Sequence, residues 1–152
     1  MPAEAIARVN EDRVLPMTEC KISVRVRYVE CDPMGYLHHS HYLPFLEMGR
    51  TELLRQNGGD YRLLESEGFF FVVTKLAIEF KRPARYDDEL EIITRINRKT
   101  HVRIDHDYDI FNAQTRILLS KASSTIACVD RSGQLIPIPE KLAFSSLDGA
   151  AG

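Results

Sequence analysis

The sequence predicts an α+β domain in which an antiparallel sheet wraps over one long helix. Two observations predict it. One stretch carries apolar residues at the three- and four-residue steps of a helix, and it stands among five stretches of strand length that alternate or are rich in β-branched residues. One helix followed by an unbroken run of strands points to one layer of each.

The first element is a strand over Cys20 to Tyr28. Cys20, Ile22, Val24, Val26 and Tyr28 share one face, and Lys21, Ser23, Arg25 and Arg27 share the other, the period of two of a half-buried strand. The long helix spans His41 to Gln56, with Tyr42, Phe45, Leu46, Gly49 and Leu53 in register, Ser40 as N-cap and Pro44 near the first turn, where its missing N–H costs least. Asn57-Gly58-Gly59 stops this helix, and Asp60 caps a short second one that Gly68 closes.

Four strands follow: Phe70 to Lys81, Leu90 to Asn97, Val102 to Ile110, and Ile117 to Val129. In the third of these, Val102, Ile104, His106, Tyr108 and Ile110 oppose Arg103, Asp105, Asp107 and Asp109. One helix covers only part of one face of so long a sheet. Ile93, Leu118, Ala122 and Ile126 are expected on the second faces, so uncovered apolar area and an exposed edge strand predict a partner chain, a homodimer or homotetramer.

The bulk numbers bound the function. A chain of 152 residues fits one domain with a real core. The division expected is a loose arm over 1–17, the domain over 18–144 and a loose tail over 145–152. With a formal net charge of -2 and no strongly basic stretch, nucleic acid is not expected as the main partner. Cys20, Cys31 and Cys128 are scattered, form no Cys-x-x-Cys pair and read as reduced thiols. The first residues carry Glu4, Glu11 and Asp12 and no apolar core of a signal peptide, and no apolar run reaches membrane-span length. The expectation is a cytoplasmic protein without an integral membrane segment.

The most informative stretch is Arg27-Tyr28-x-Glu30-x-Asp32-x-x-Gly35-x-x-x-His39-x-x-Tyr42-Leu43-x-Phe45-x-Glu47-x-x-Arg50-Thr51-Glu52. With Gly68-Phe69-Phe70-Phe71-Val72-Val73, Arg82-Pro83-Ala84-Arg85-x-Asp87-Asp88 and Cys128-Val129-Asp130, it closely resembles the 4-hydroxybenzoyl-CoA thioesterase family, most of all the branch associated with the Tol–Pal system. The resemblance covers roughly residues 20 to 142. It implies a hotdog fold and an acyl-CoA thioesterase that yields a carboxylate and free CoA, with no cofactor beyond the CoA thioester as substrate. An acyl carrier protein as the acyl donor and a non-catalytic acyl-CoA-binding role are the alternatives.

The resemblance places Asp32 at the catalytic carboxylate, as nucleophile or general base. The local chemistry agrees. Pro33 restricts the backbone of Asp32 to extended conformations, and Gly35 allows a sharp bend. Backbone amides near His39, at the positive end of the helix, are expected to polarise the thioester oxygen, joined by an amide near Phe70 from a second protomer. His39 carries either a catalytic or a structural hydrogen bond.

Tyr28, Gly35, Tyr42, Phe69, Phe70 and Phe71 are the expected substrate-binding residues. Lys81, Arg82 and Arg85 are candidates for the CoA phosphates, against the plainer reading of a solvated strand end. Glu47 and Arg50 have the spacing of an ion pair on the long helix. His38, His39 and His41 beside Cys31 and Asp32 match no common metal-ligand spacing, and no metal is expected.

Overall fold

The computed structural model describes residues 18–142. The expected arm over 1–17 and tail over 145–152 lie outside the described residues, as do 143 and 144. Strand β1 (Glu19–Arg25) precedes helix α1 (Tyr42–Gln56) and the short helix α2 (Tyr61–Ser66); then come β2 (Phe70–Phe80), β3 (Glu89–Lys99), β4 (Arg103–Asn112) and β5 (Leu118–Val129). The strands form one antiparallel sheet in the order β1-β3-β4-β5-β2. This is the α+β hotdog arrangement. Among the described residues no helix is long and apolar enough to cross a membrane.

The helix lies across the β1–β3 side of the sheet. Tyr42, Phe45 and Leu46 enter a core with Val26, Leu90, Ile92, Tyr108 and Ile110, while Leu54, Leu64, Ile104, Ile126 and Cys128 build a second core farther along. Gly49 allows the close approach between them. A Cβ there would fall 2.3 Å from Thr94 Oγ1, inside contact distance of a fully buried side chain. Gly49→Ala is therefore expected to destabilise the fold by about 1–3 kcal/mol through overpacking. An unchanged urea midpoint would show that Thr94 yields without cost.

Three expectations change. The first strand ends at Arg25 rather than Tyr28 because the next residues turn into a 3-10 helix, Tyr28–Glu30. Glu30, almost fully buried, reaches back to accept the Arg27 N–H at 2.7 Å, and that bond redirects the chain. Ser40 is not the cap of α1. A 3-10 turn, His39–His41, precedes the helix, and the His38 ring accepts the Ser40 N–H at 3.2 Å.

The third change concerns the outer face of the sheet. Ala122 and Ile126 pack toward the core instead, and Leu118 is half-buried beside the irregularity at Ile110–Phe111. Ile93 sits opposite Asp109. Around it the outer face is charged: Asp109 takes Arg95 at 2.7 Å and Lys121 at 2.9 Å, and Asp105 accepts the Thr125 hydroxyl at 2.7 Å. The unpartnered apolar groups lie instead on edge strand β2, where Val72, Val73, Leu76 and Phe80 are exposed.

His106, on the core side of β4, is 4% exposed, and burial pushes its imidazole down from 6.5 to about 3, with the Arg50 cation acting in the same direction. The unfolded chain therefore binds this proton first as pH falls. The stabilisation is complete above the ordinary histidine value and is lost between there and about 3. Acidification from neutrality to about pH 5 is expected to cost on the order of 2 kcal/mol through this residue. His106→Leu should flatten that part of the stability profile. An equally steep profile in the variant would assign the acid sensitivity elsewhere.

Candidate active site

The turn after β1 builds the centre of the site. Cys31 bridges Leu37, Asp32 N–H donates to the Tyr36 carbonyl at 2.8 Å, and Gly35 N–H donates to the Asp32 carbonyl at 2.9 Å. Gly35 has φ of 81°, a left-handed conformation that glycine adopts without strain. Asp32 Oδ1 accepts the N–H of Met34 at 2.9 Å and of Tyr36 at 3.1 Å. One carboxylate oxygen thus holds the turn, and Oδ2 makes no hydrogen bond among the described residues.

Asp32 opens on a cleft of about 330 Å³ together with Tyr36, Leu37, His39, Tyr42, Phe80, Lys81, Arg82 and Pro83. Five expected site residues from two distant parts of the chain meet here: Asp32, His39 and Tyr42 from one, Lys81 and Arg82 from the other. The Tyr36–Arg85 bridge ties the Asp32 turn to the segment after β2. The Arg85 guanidinium lies 4.8 Å over the Tyr36 ring, so Arg85 reaches the cleft through Tyr36. Tyr42 is almost fully buried beside the Ala84 backbone and Ser120, its ring set edge-on to Phe80 at 5.0 Å, and burial pushes its phenol up.

His39 is exposed at the rim, and its ring lies 4.0 Å from that of His38. The His38 ring is held by Ser40, whose hydroxyl lies 2.8 Å from Nδ1. Of the amides near His39, Ser40 N–H is taken by the His38 ring and His41 N–H by the His38 carbonyl. The His39 N–H has no acceptor among the described residues. Lys81 pairs with Glu79 at 3.3 Å, whereas Arg82 has no ion pair among the described residues.

Tyr28 does not line this cleft; it is 80% exposed, edge-on to Tyr86 at 5.7 Å. Phe69 and Phe71 of the same chain pack against the second core, and Phe70 sits under Arg131, all at the opposite end of β2 from Phe80. Glu47 and Arg50 form no ion pair among the described residues. Glu47 lines a surface groove, while Arg50 turns inward toward Tyr61 and His106. Tyr36 and Phe80 are cleft residues that the sequence reading missed. The turn that Gly35 and Asp32 announce carries Tyr36 with it, and Phe80 is marked by being the apolar residue that ends the strand beside Lys81 and Arg82.

The family profile of the thioesterase-like superfamily matches residues 26–144. The chain is 38% identical over 107 residues to the acyl-CoA thioester hydrolase YbgC of Escherichia coli O6:H1, covering 70% of this chain and 79% of that protein. It is 32% identical over 124 residues to the putative acyl-CoA thioesterase YneP of Bacillus subtilis, covering 82% and 88%. Among solved structures, a probable thioesterase from Bartonella henselae superposes with a TM-score of 0.74 at 34% identity, over 80% of this chain and 99% of that one.

Proposed function

This chain belongs to the thioesterase-like superfamily and is a thioester hydrolase, and on that premise we propose that it cleaves acyl-CoA to a carboxylate and free CoA with Asp32 as the reacting carboxylate. The observation that carries the reading is the convergence of Asp32, His39, Tyr42, Lys81 and Arg82 on one cleft. Within the family we place it beside the 4-hydroxybenzoyl-CoA thioesterases, in the Tol–Pal-associated branch, on the motif that runs from Arg27 to Glu52.

Asp32 Oδ2, free of the turn bonds, either attacks the thioester carbonyl to form a mixed anhydride or takes a proton from the water that does. Negative charge then develops on the carbonyl oxygen. The unengaged His39 N–H, just ahead of α1, is the donor for it, in the positive field of the helix start. The CoA thiolate leaves toward the rim. Arg82, Lys81 and Arg85 face the phosphates there, guanidinium groups being suited to bidentate phosphate contact.

Edge strand β2 pairs with β2 of a second copy. Its outer edge has no strand partner among the described residues, and four exposed apolar side chains line it. Antiparallel pairing would bring the Phe70 end of one chain to the Phe80 end of the other, beside Asp32. That juxtaposition gives Phe69–Phe71 and a Phe70 amide their place in the partner's site.

The test is free-thiol release with a panel of short, long and aromatic acyl-CoAs and an acylated carrier protein. Thiol release from one or more CoA thioesters, at rates well above the carrier-protein substrate, is the expected result. Release from the carrier protein alone would overturn the CoA assignment, and binding without release would make the chain a carrier of acyl-CoA.

A further inference from the structure

The turn that carries the His39 N–H is tied down by its own backbone. His38 N–H donates to the Glu30 carbonyl at 2.9 Å, and the His38 carbonyl accepts the His41 N–H at 3.0 Å. The His39 carbonyl accepts the Tyr42 N–H, so the turn runs straight into α1. In a trans peptide the C=O and N–H point opposite ways. The His38 carbonyl is drawn in toward His41, and the His39 N–H is therefore sent out of the turn. The backbone leaves one more amide without an acceptor, that of Ser40.

A side chain closes it. His38 Nδ1 accepts the Ser40 N–H at 3.2 Å, and the Ser40 hydroxyl lies 2.8 Å from the same nitrogen. A backbone N–H can only donate, so Nδ1 carries a lone pair and the ring proton sits on Nε2. The residues that usually do this at a turn or helix start are Ser, Thr, Asp and Asn. Here it is an imidazole, half-buried, stacked at 4.0 Å on the His39 ring and edge-on to the His41 ring at 6.3 Å. An apolar residue of similar size would fill the same space and accept nothing.

We propose that His38 is a positioning residue for thioester cleavage: its imidazole closes the Ser40 amide, fixes the peptide between His39 and Ser40, and leaves the His39 N–H as the one amide of the turn aimed at the carbonyl oxygen. This rests on the thioesterase reading of the Asp32 cleft and adds to it a residue that does not touch the substrate. An oxyanion donor works only within a narrow range of distances, and a displacement of ~1 Å at such a site costs on the order of a hundredfold in rate. Without the ring, the Ser40 N–H has to find another acceptor, and the turn shifts to reach it. The charge on the oxygen develops in the transition state, so the loss falls on kcat and not on KM.

The test compares His38→Leu, which fills the space without accepting, with His38→Asn, whose amide oxygen caps in the ordinary way. With the CoA thioester that is cleaved fastest, His38→Leu should lower kcat at least about tenfold with KM within about twofold of wild type. His38→Asn should keep kcat within about threefold. An unchanged kcat in His38→Leu, a loss carried by KM, or an asparagine variant as impaired as the leucine one overturns the proposal. A second measurement needs no bond cleavage. The His39 amide proton is followed by NMR as two analogues of acetyl-CoA bind: a ketone with methylene in place of the thioester sulfur, which keeps the carbonyl, and the ethyl thioether, which lacks it. In wild type and His38→Asn the resonance should move with the ketone and not with the thioether, and in His38→Leu it should respond to neither. A response in His38→Leu equal to wild type, or equal responses to both analogues in wild type, overturns the positioning role. Absence of thiol release with these responses intact would instead sink the hydrolase mechanism alone.

Discussion

Asp32→Asn is expected to lower thioester turnover by a factor on the order of a thousand or more while leaving the fold intact. The two halves of that statement come from different oxygens of one side chain. Oδ1 accepts from Met34 and Tyr36 and holds the turn. Asparagine keeps an oxygen there, so both bonds survive and the unfolding midpoint should stay within about 0.5 kcal/mol of wild type, as for substitutions that leave such features alone. The Oδ2 position becomes an amide nitrogen, which neither attacks a carbonyl nor accepts a proton. Turnover near wild type in a folded Asp32→Asn protein would remove Asp32 from the chemistry. A loss of turnover together with a large loss of stability would instead make the turn, and not the carboxylate, the reason for the effect.

Much of this site is legible from the chain because local rules determine it. An Asp followed by Pro and, after one more residue, Gly specifies a turn whatever surrounds it, and the helical spacing from Tyr42 to Leu53 needs no partner to be read. The misreadings share the opposite character. Ser40 looks like a cap by residue type, but the His38 ring reaches its amide first, and a side-chain competitor two residues upstream leaves no periodic signal. Tyr28 continues the alternation of β1, yet the buried Glu30 carboxylate breaks the strand by claiming the Arg27 N–H. Glu47 and Arg50 have ion-pair spacing, but Arg50 turns toward a buried histidine fifty-six positions away in the sequence, a contact that only the folded sheet creates. Alternation likewise says that two faces exist along β5 without saying which is inside. Ala122 and Ile126 were expected outside and pack within.

That last reversal moves the argument for a second copy from the sheet's face to its edge, and with it the second large effect. Replacing Val72 and Ala77 together by Glu is expected to give a stable monomer with thioester turnover at least about a hundredfold below wild type. Both positions lie on the outer side of β2, since Val72 pairs with Ala127 and Ala77 with Ser123 in the register whose other members face the core. In an antiparallel pair of β2 strands related by a two-fold axis, each new carboxylate meets its counterpart's neighbourhood, and like charges across a strand pair are destabilising. Charge on an exposed edge is also how natural sheets prevent such pairing. Neither substitution touches the core or the Asp32 cleft of its own chain, so the monomer should fold and bind CoA. What it should lose is the Phe70 end of the partner. Sedimentation and thiol release on the same sample separate the cases. A monomer that keeps full turnover would show that one chain holds a complete site. A dimer that persists with both glutamates would place the interface elsewhere than β2. A monomer with lost turnover that regains activity on mixing with an Asp32→Asn chain whose β2 is wild type would establish the shared site, because the glutamates then face no like charge and the Asn-bearing chain supplies the Phe70 end.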